Sequence, residues 1–249
     1  MPFTLSHVLA IVPFYKYLRK YFSISGLIMG SMAPDFEFFL RITLYGIWGH
    51  TFKGIFFFDF PISIILILVF HIWVRDALIV FLPDAISIKY AKFYKFDWVK
   101  YFKNNFHIVG YSVLLGIFTH FVWDNITHEP NYVSPFYFQF LEKKLKLFVF
   151  TLPVYSILQI ISSIIGLAWL LWFFLLETNI LTLFIGFSKK WKFWFYTFFV
   201  TSTIFFCRYL IGVPTEKPFG QIVVVFIGSF IYGLILVSVF YPKPNEVNF

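Results

Sequence analysis

Five long apolar runs, at roughly 54–74, 105–125, 152–176, 193–213 and 219–241, constrain this chain more than any other feature. An α-helix rises about 1.5 Å per residue, so about 20 apolar residues cross the ~30 Å hydrocarbon core of a bilayer. Each run has that length. Water is absent from the core, so every backbone N–H and C=O has to be bonded within its own segment, which selects helices. The expected fold is therefore all-α. It is a polytopic membrane helical bundle of about five transmembrane helices, with N-terminal interfacial or re-entrant helices ahead of them. Residues 1–249 read as one integral-membrane domain, in which 1–53 and 54–128 build a site and 129–249 form a three-span scaffold. Composition agrees: 60% of the residues are hydrophobic and 13% charged, whereas soluble domains carry about a quarter charged residues.

The charged residues are informative by position. Lysines cluster between the apolar runs, from Lys89 to Lys103, at Lys143, Lys144 and Lys146, and at Lys189, Lys190 and Lys192, within a net charge of +8. Loops beside lipid headgroups have this pattern. No basic-aromatic module accompanies them, so nucleic acid is not an expected partner and the lipid bilayer is. Arg75 to Lys103 reads as amphipathic helix on the membrane surface. The single Cys207 lies inside an apolar run, which leaves neither a disulfide framework nor a thiolate metal site. Met1 to Lys20 reads as a short helix capped by Thr4 or Ser6, and its basic residues follow its apolar part, so no cleavable signal peptide is expected. Arg208, near the end of the fourth run, is expected to snorkel to the interface.

Against this apolar background His120, Asp124 and His128 stand four residues apart at the end of the second run. On an α-helix each is rotated about 40° from the last, so the three share one face. Such a stripe is costly in a greasy segment unless something compensates it, and a divalent metal does so directly. His7 lies near the start of the chain and His50 at the foot of the first run. Pro34 interrupts the run from Gly26, which is expected to put Asp35 and Glu37 in irregular backbone. Two antiparallel spans return the chain to the side it left, so Asp35, His50 and Asp59 should meet His120, Asp124 and His128 on one face. The candidate metal ligands are His7, Asp35, His50, His120, Asp124 and His128. Glu37 and Asp59 are the candidate catalytic carboxylates, able to orient a metal-bound water or take its proton, with Glu129 near them. Imidazole and carboxylate without thiolate suit zinc, and also manganese or iron, in an open site of catalytic type. Each residue also has a plainer reading, as a helix cap, an interhelical hydrogen bond or a proton relay.

The blocks Met1-Pro2-Phe3-Thr4-Leu5-Ser6-His7, Gly30-Ser31-Met32-Ala33-Pro34-Asp35-Phe36, Gly49-His50-Thr51, Asp59-Phe60-Pro61 and Thr119-His120-x3-Asp124-x2-Thr127-His128 carry a resemblance over nearly the whole chain. Together they resemble a bacterial family of multi-pass membrane proteins defined only as a domain of unknown function. That resemblance implies the bacterial cytoplasmic (inner) membrane, and the basic loops favour an external site. More remotely, the order His, Asp, His, His-x3-Asp is similar to zinc-dependent phospholipases C and membrane-bound metal-dependent hydrolases. The resemblance implies one metal on Asp35, His50, His120 and Asp124, with Asp124 bridging to another that involves His7, and His128 at a following ligand position. The phospholipases have a later His-x3-Glu pair, and this chain has no His after 128, so a one- or two-metal site is implied. The expected function is an integral-membrane, metal-dependent hydrolase acting on a lipid phosphoester or another lipid-linked ester. The alternative is a non-enzymatic membrane protein with a structural metal or polar cluster, or one that handles ions or protons.

Overall fold

The computed structural model describes residues 4–11, 15–129, 138–147, 150–175, 190–214 and 216–242. Pro130 and Pro135 in the loop after the second run, the basic residue Lys189 and the residues beyond Pro242 lie outside the described residues. Nearly all of the rest is helical. A 3-10 helix, Thr4–Ala10, comes first, followed by α1 (Tyr15–Leu18) and α2 (Ile24–Arg41). Next are α3 (Phe52–Phe81), α4 (Asp84–Tyr90), α5 (Trp98–Asn104) and α6 (Phe106–Thr127). Strands β1 (Lys144–Leu147) and β2 (Phe150–Pro153) form an antiparallel hairpin. Helices α7 (Val154–Leu175), α8 (Trp191–Ile211) and α9 (Pro218–Phe240) complete the chain.

Among the described residues, α3, α6, α8 and α9 are long and apolar enough to cross a membrane. The protein is an all-α, polytopic membrane protein. The expected third span falls in α7, whose apolar part Val154–Trp169 is shorter than the others. The first span is longer than expected. It runs through Arg75 to Phe81, so the surface segment begins only at α4. Two π-helical turns, Ile55–Asp59 and Phe70–Val74, lie within α3. The first has a local cause. Pro61 has no N–H to offer the preceding turn, and the backbone shifts register just before it, with Phe60 N–H bonding Ile55 O.

The chain packs as two compact units, each made of segments distant in sequence. The first comprises Met1–Phe36, Ile47–Ile64 and Asn105–Phe173, the second Glu37–Gly46, Ile65–Asn104 and Phe174–Phe249. Close approach of α2 and α6 organises the first unit. A Cβ on Gly30 would sit 2.3 Å from Val113 O, and one on Gly116 2.4 Å from Leu27 O. Small residues let helix backbones meet in this way. Pro34 does not break α2, which continues to Arg41. Membrane helices tolerate proline where neighbours satisfy the freed backbone, and the carbonyl left without its N–H partner is that of Gly30, pressed against α6.

In the second unit Ala77, Val80, Phe81, Phe193 and Val237 form a buried core. There the chain beyond α2 is held by side chains from α8 and α9: Tyr232 Oη donates to Leu40 O at 2.9 Å and Arg208 Nε to Ile42 O at 3.1 Å. Arg208, near the end of α8, thus caps a carbonyl. The backbone N–H of Leu44 donates to Gln221 Oε1 at 3.0 Å.

Gly116→Val is expected to lower the melting temperature of the detergent-solubilised protein by several degrees, since overpacking costs about 1–3 kcal/mol. Gly110→Ala is the control. Its Cβ would meet only Phe60 ring carbons, at 3.8 and 4.0 Å, and should leave the melting curve in place.

Candidate metal centre

All six candidate ligands lie in the first unit, and the structure brings them together around one carboxylate. His120 and Asp124 project from one face of α6, one turn apart, and His120 Nε2 lies 3.1 Å from Asp124 Oδ2. His50, just before α3, places its Nε2 3.4 Å from the same oxygen and 3.5 Å from Asp35 Oδ1. The two imidazoles His50 and His120 meet at 3.4 Å, Nε2 to Nε2. On the other side of the carboxylate, Asp124 Oδ1 lies 3.5 Å from His7 Nε2 and 3.3 Å from His128 Nδ1. His7 also stacks on His120, with ring centroids 4.0 Å apart.

His128 reaches Asp124 by a different route from the one its spacing suggests. Helix α6 ends at Thr127, and His128 is its extended C-cap residue (φ −118°, ψ 168°), whose N–H still bonds Asp124 O at 2.9 Å. The cluster is also deeper than the end of the span. His120 lies seven residues inside α6, about 10 Å along the axis, and is fully buried, as are His7, Asp35 and Asp124. Only His50 and His128 keep some exposure, with side chains 13% and 12% accessible.

The donor spacing fits a small divalent ion. Ligands at about 2.0–2.2 Å from a tetrahedral zinc stand about 3.3–3.6 Å from one another. Four of the six pairs among Asp35 Oδ1, His50 Nε2, His120 Nε2 and Asp124 Oδ2 span 3.1–3.5 Å. The donors of His7, Asp35 and His120, and those of His50, His120 and Asp124, form two groups whose atoms lie within 4.8 Å of each other. Both ring nitrogens of His7 and Asp124 Oδ1 are buried without a hydrogen bond among the described residues. Buried polar atoms in that state call for a partner.

Two supporting contacts were not legible as site features in the sequence. Thr4 does not cap a helix; its hydroxyl donates to Asp35 Oδ2 at 2.7 Å, which leaves Oδ1 facing His50. Thr4 and His7 serve one site because the 3-10 helix has three residues per turn and so eclipses positions three apart. His120 Nδ1–H donates to the carbonyl of Ser31 at 2.8 Å. This holds the ring with Nε2 toward Asp124 and leaves Nε2 as the atom that a metal would take, as outer contacts of metal-binding histidines do.

The carboxylates expected to act on substrate are placed differently. In the continuous helix α2, Glu37 is rotated about 200° from Asp35. It belongs to the second unit and pairs with Arg41 at 3.2 Å. Asp59 is fully buried in the first unit, at the end of the π-helical turn Ile55–Asp59.

Charge in the cluster follows from these contacts. Burial, helped by neighbouring His120, lowers the His7 pKa to about 4, so this imidazole is neutral. Burial pulls His50 the same way, but its hydrogen bonds to Asp124 and Asp35 prevail and raise its pKa to about 10. Burial pushes Asp35 upward, and the His50 hydrogen bond together with the neighbouring His120 and His50 imidazoles outweighs it and holds Asp35 below the usual carboxylate range.

A polytopic all-helical membrane protein with a buried imidazole–carboxylate cluster is thus defined by fold and geometry. The chain belongs to the family described as a domain of unknown function, DUF4184, whose model matches residues 1–239. No curated protein and no solved structure matches the chain.

A metal entering this cluster has to displace the His50 proton, because only neutral imidazole is a ligand. Zinc affinity is therefore expected to rise with pH, by about tenfold per unit between pH 6 and 8 if one proton is released. Calorimetry in buffers of different ionisation enthalpy reads that proton directly. Thr4→Val is expected to weaken zinc binding by about 10–100-fold, with Thr4→Ser restoring it.

Proposed function

We propose that this protein is an integral-membrane, metal-dependent hydrolase that acts on a phosphoester or another ester of a lipid or lipid-linked headgroup. The observation that supports it most is the position of Asp124: a buried carboxylate with imidazoles facing each of its two oxygens. A carboxylate so flanked can serve one metal or bridge two. Asp35, His50, His120 and Asp124 would hold the first ion, and His7 and His128 would join the other oxygen of Asp124. The donors contain no thiolate, which suits zinc, with manganese or iron as the other fits.

A bound ion lowers the pKa of its water toward neutrality and supplies hydroxide. Asp59, the expected catalytic carboxylate that lies in this unit, would take a proton, and it ends a π-helical turn, a feature frequent at functional sites. The accessible edge at His50 adjoins exposed Ile47, Trp48, Phe52 and Phe56, an apolar apron suited to an amphiphilic substrate. The order of the donors along the chain also resembles that of zinc-dependent phospholipases C. The proposal includes a seat in the bacterial cytoplasmic membrane with the cluster toward the external face, since the lysine-rich segment between α3 and α6 favours the opposite side as cytoplasmic.

The deciding measurement is the metal content of the detergent-purified protein beside a His120→Ala/Asp124→Asn variant. About one or two equivalents of zinc or manganese are expected in the first and none in the second. Turnover of lipid phosphoesters should follow the metal. Asp59→Asn should keep the metal and lose about 100-fold or more in rate. A protein that binds no metal even after reconstitution would sink the reading and leave a polar cluster held by its own hydrogen bonds.

A further inference from the structure

Outside the metal cluster, the feature with the clearest unclaimed chemistry is the hairpin Lys144–Pro153. Its register pairs Leu145 with Leu152 and Lys146 with Thr151. Side chains alternate between the faces of a strand, so Leu145 and Leu152 share one face while Lys144, Lys146 and Thr151 share the other. Leu145 is 40% exposed, and Lys143, Lys144, Lys146 and Thr151 are exposed too. Just ahead of the strands Phe138 and Phe140 are also exposed, while Leu141, the residue after them, is buried within the first unit. Three lysines stand against one acid, Glu142, in this stretch.

The hairpin is not on a loose tether. Strand β2 ends at Pro153 and α7 begins at Val154, whose N–H bonds Lys143 O at 3.1 Å across the base of the hairpin. The apolar helix α7 therefore carries the hairpin directly at its N-terminal end. The end of α6 that bears Asp124 and His128 precedes the hairpin, so cluster and hairpin belong to the same side of the membrane.

We propose that this hairpin is an interfacial anchor for anionic lipid: Leu145, Phe138 and Phe140 enter the acyl boundary and Lys143, Lys144 and Lys146 meet the acidic headgroups. The two requirements for such binding are buried apolar area and attraction to negative charge. Both are present on the hairpin and the turn that leads into it. The inference stands apart from the hydrolase reading, because it needs neither a metal nor a reaction.

The test uses the full chain with Cys207→Ser and one new cysteine, Leu145→Cys or Thr151→Cys, carrying an NBD label. Each is placed in nanodiscs of phosphatidylcholine alone or with about 30% phosphatidylglycerol, with doxyl-lipid as quencher. With the acidic lipid present, the label at 145 should be quenched at least about twofold more than the one at 151. Replacing Lys143, Lys144 and Lys146 by Gln should shrink that difference, as should leaving out the acidic lipid. Equal quenching at both positions would overturn the proposal. So would a difference indifferent to acidic lipid and to the lysines. Shielding of position 145 that appears only as protein concentration rises in detergent would assign the face to a second copy of the chain and likewise overturn it.

Discussion

A buried carboxylate in a protein made of apolar helices must be neutralised from several directions, and Asp124 sets the arrangement of everything around it. Four imidazoles lie within 3.1–3.5 Å of its two oxygens, and they come from four places in the sequence: the opening 3-10 helix, the foot of α3, the interior of α6 and the cap of α6. No one of these segments could hold the charge alone. An isolated carboxylate at this depth would protonate instead of ionising. The polar groups thus act against the local preference of each helix, and the compensation appears only when the first unit is assembled. Consistency between local and global choices is ordinarily the sign of a good sequence, and departures from it concentrate at functional sites.

The membrane fold could be read from sequence because its cause is local. Length and apolarity decide a spanning helix, and α3, α6, α8 and α9 announce themselves by both. The meeting of Asp35, His50, His120 and Asp124 was legible too, since counting spans brings the segments that carry them to one side. What escaped the sequence depended on backbone details that residue type does not report. Pro34 looks like a break, yet α2 continues, and a continuous helix turns Glu37 away from Asp35. His128 fits a helical spacing but sits on a cap, and reaches Asp124 because the chain bends back there. Thr4 has the look of a helix cap and serves Asp35 instead, which follows from a 3-10 turn and not from a 3.6-residue one. The stretch after α6 reads as loop, although it holds a paired hairpin whose Lys-Leu alternation is plain once the register is known.

The interleaving of the two units was not legible either. Helices α2 and α3 each begin in the first unit and end in the second. Hydropathy reports where a helix starts and stops, and it is silent about which neighbours each half will find. Glu37 and Asp35, two residues apart, therefore belong to different surroundings: one is an ion-pair partner of Arg41, the other a member of the His/Asp cluster.

The tight crossing of α2 and α6 does more than fill space. Gly30 and Gly116 press backbone on backbone, so neither helix can slide along the other without collision. The carbonyl of Ser31 that orients His120 is the residue next to Gly30 on that same crossing. The reach of His120 toward Asp124 is thus inherited from two glycines that own no donor atom for a cation. The distance from Asp35 on α2 to His120 and Asp124 on α6 is set at this crossing, so a few tenths of an ångström of helix separation would resize the whole cluster with every one of its side chains left as it is.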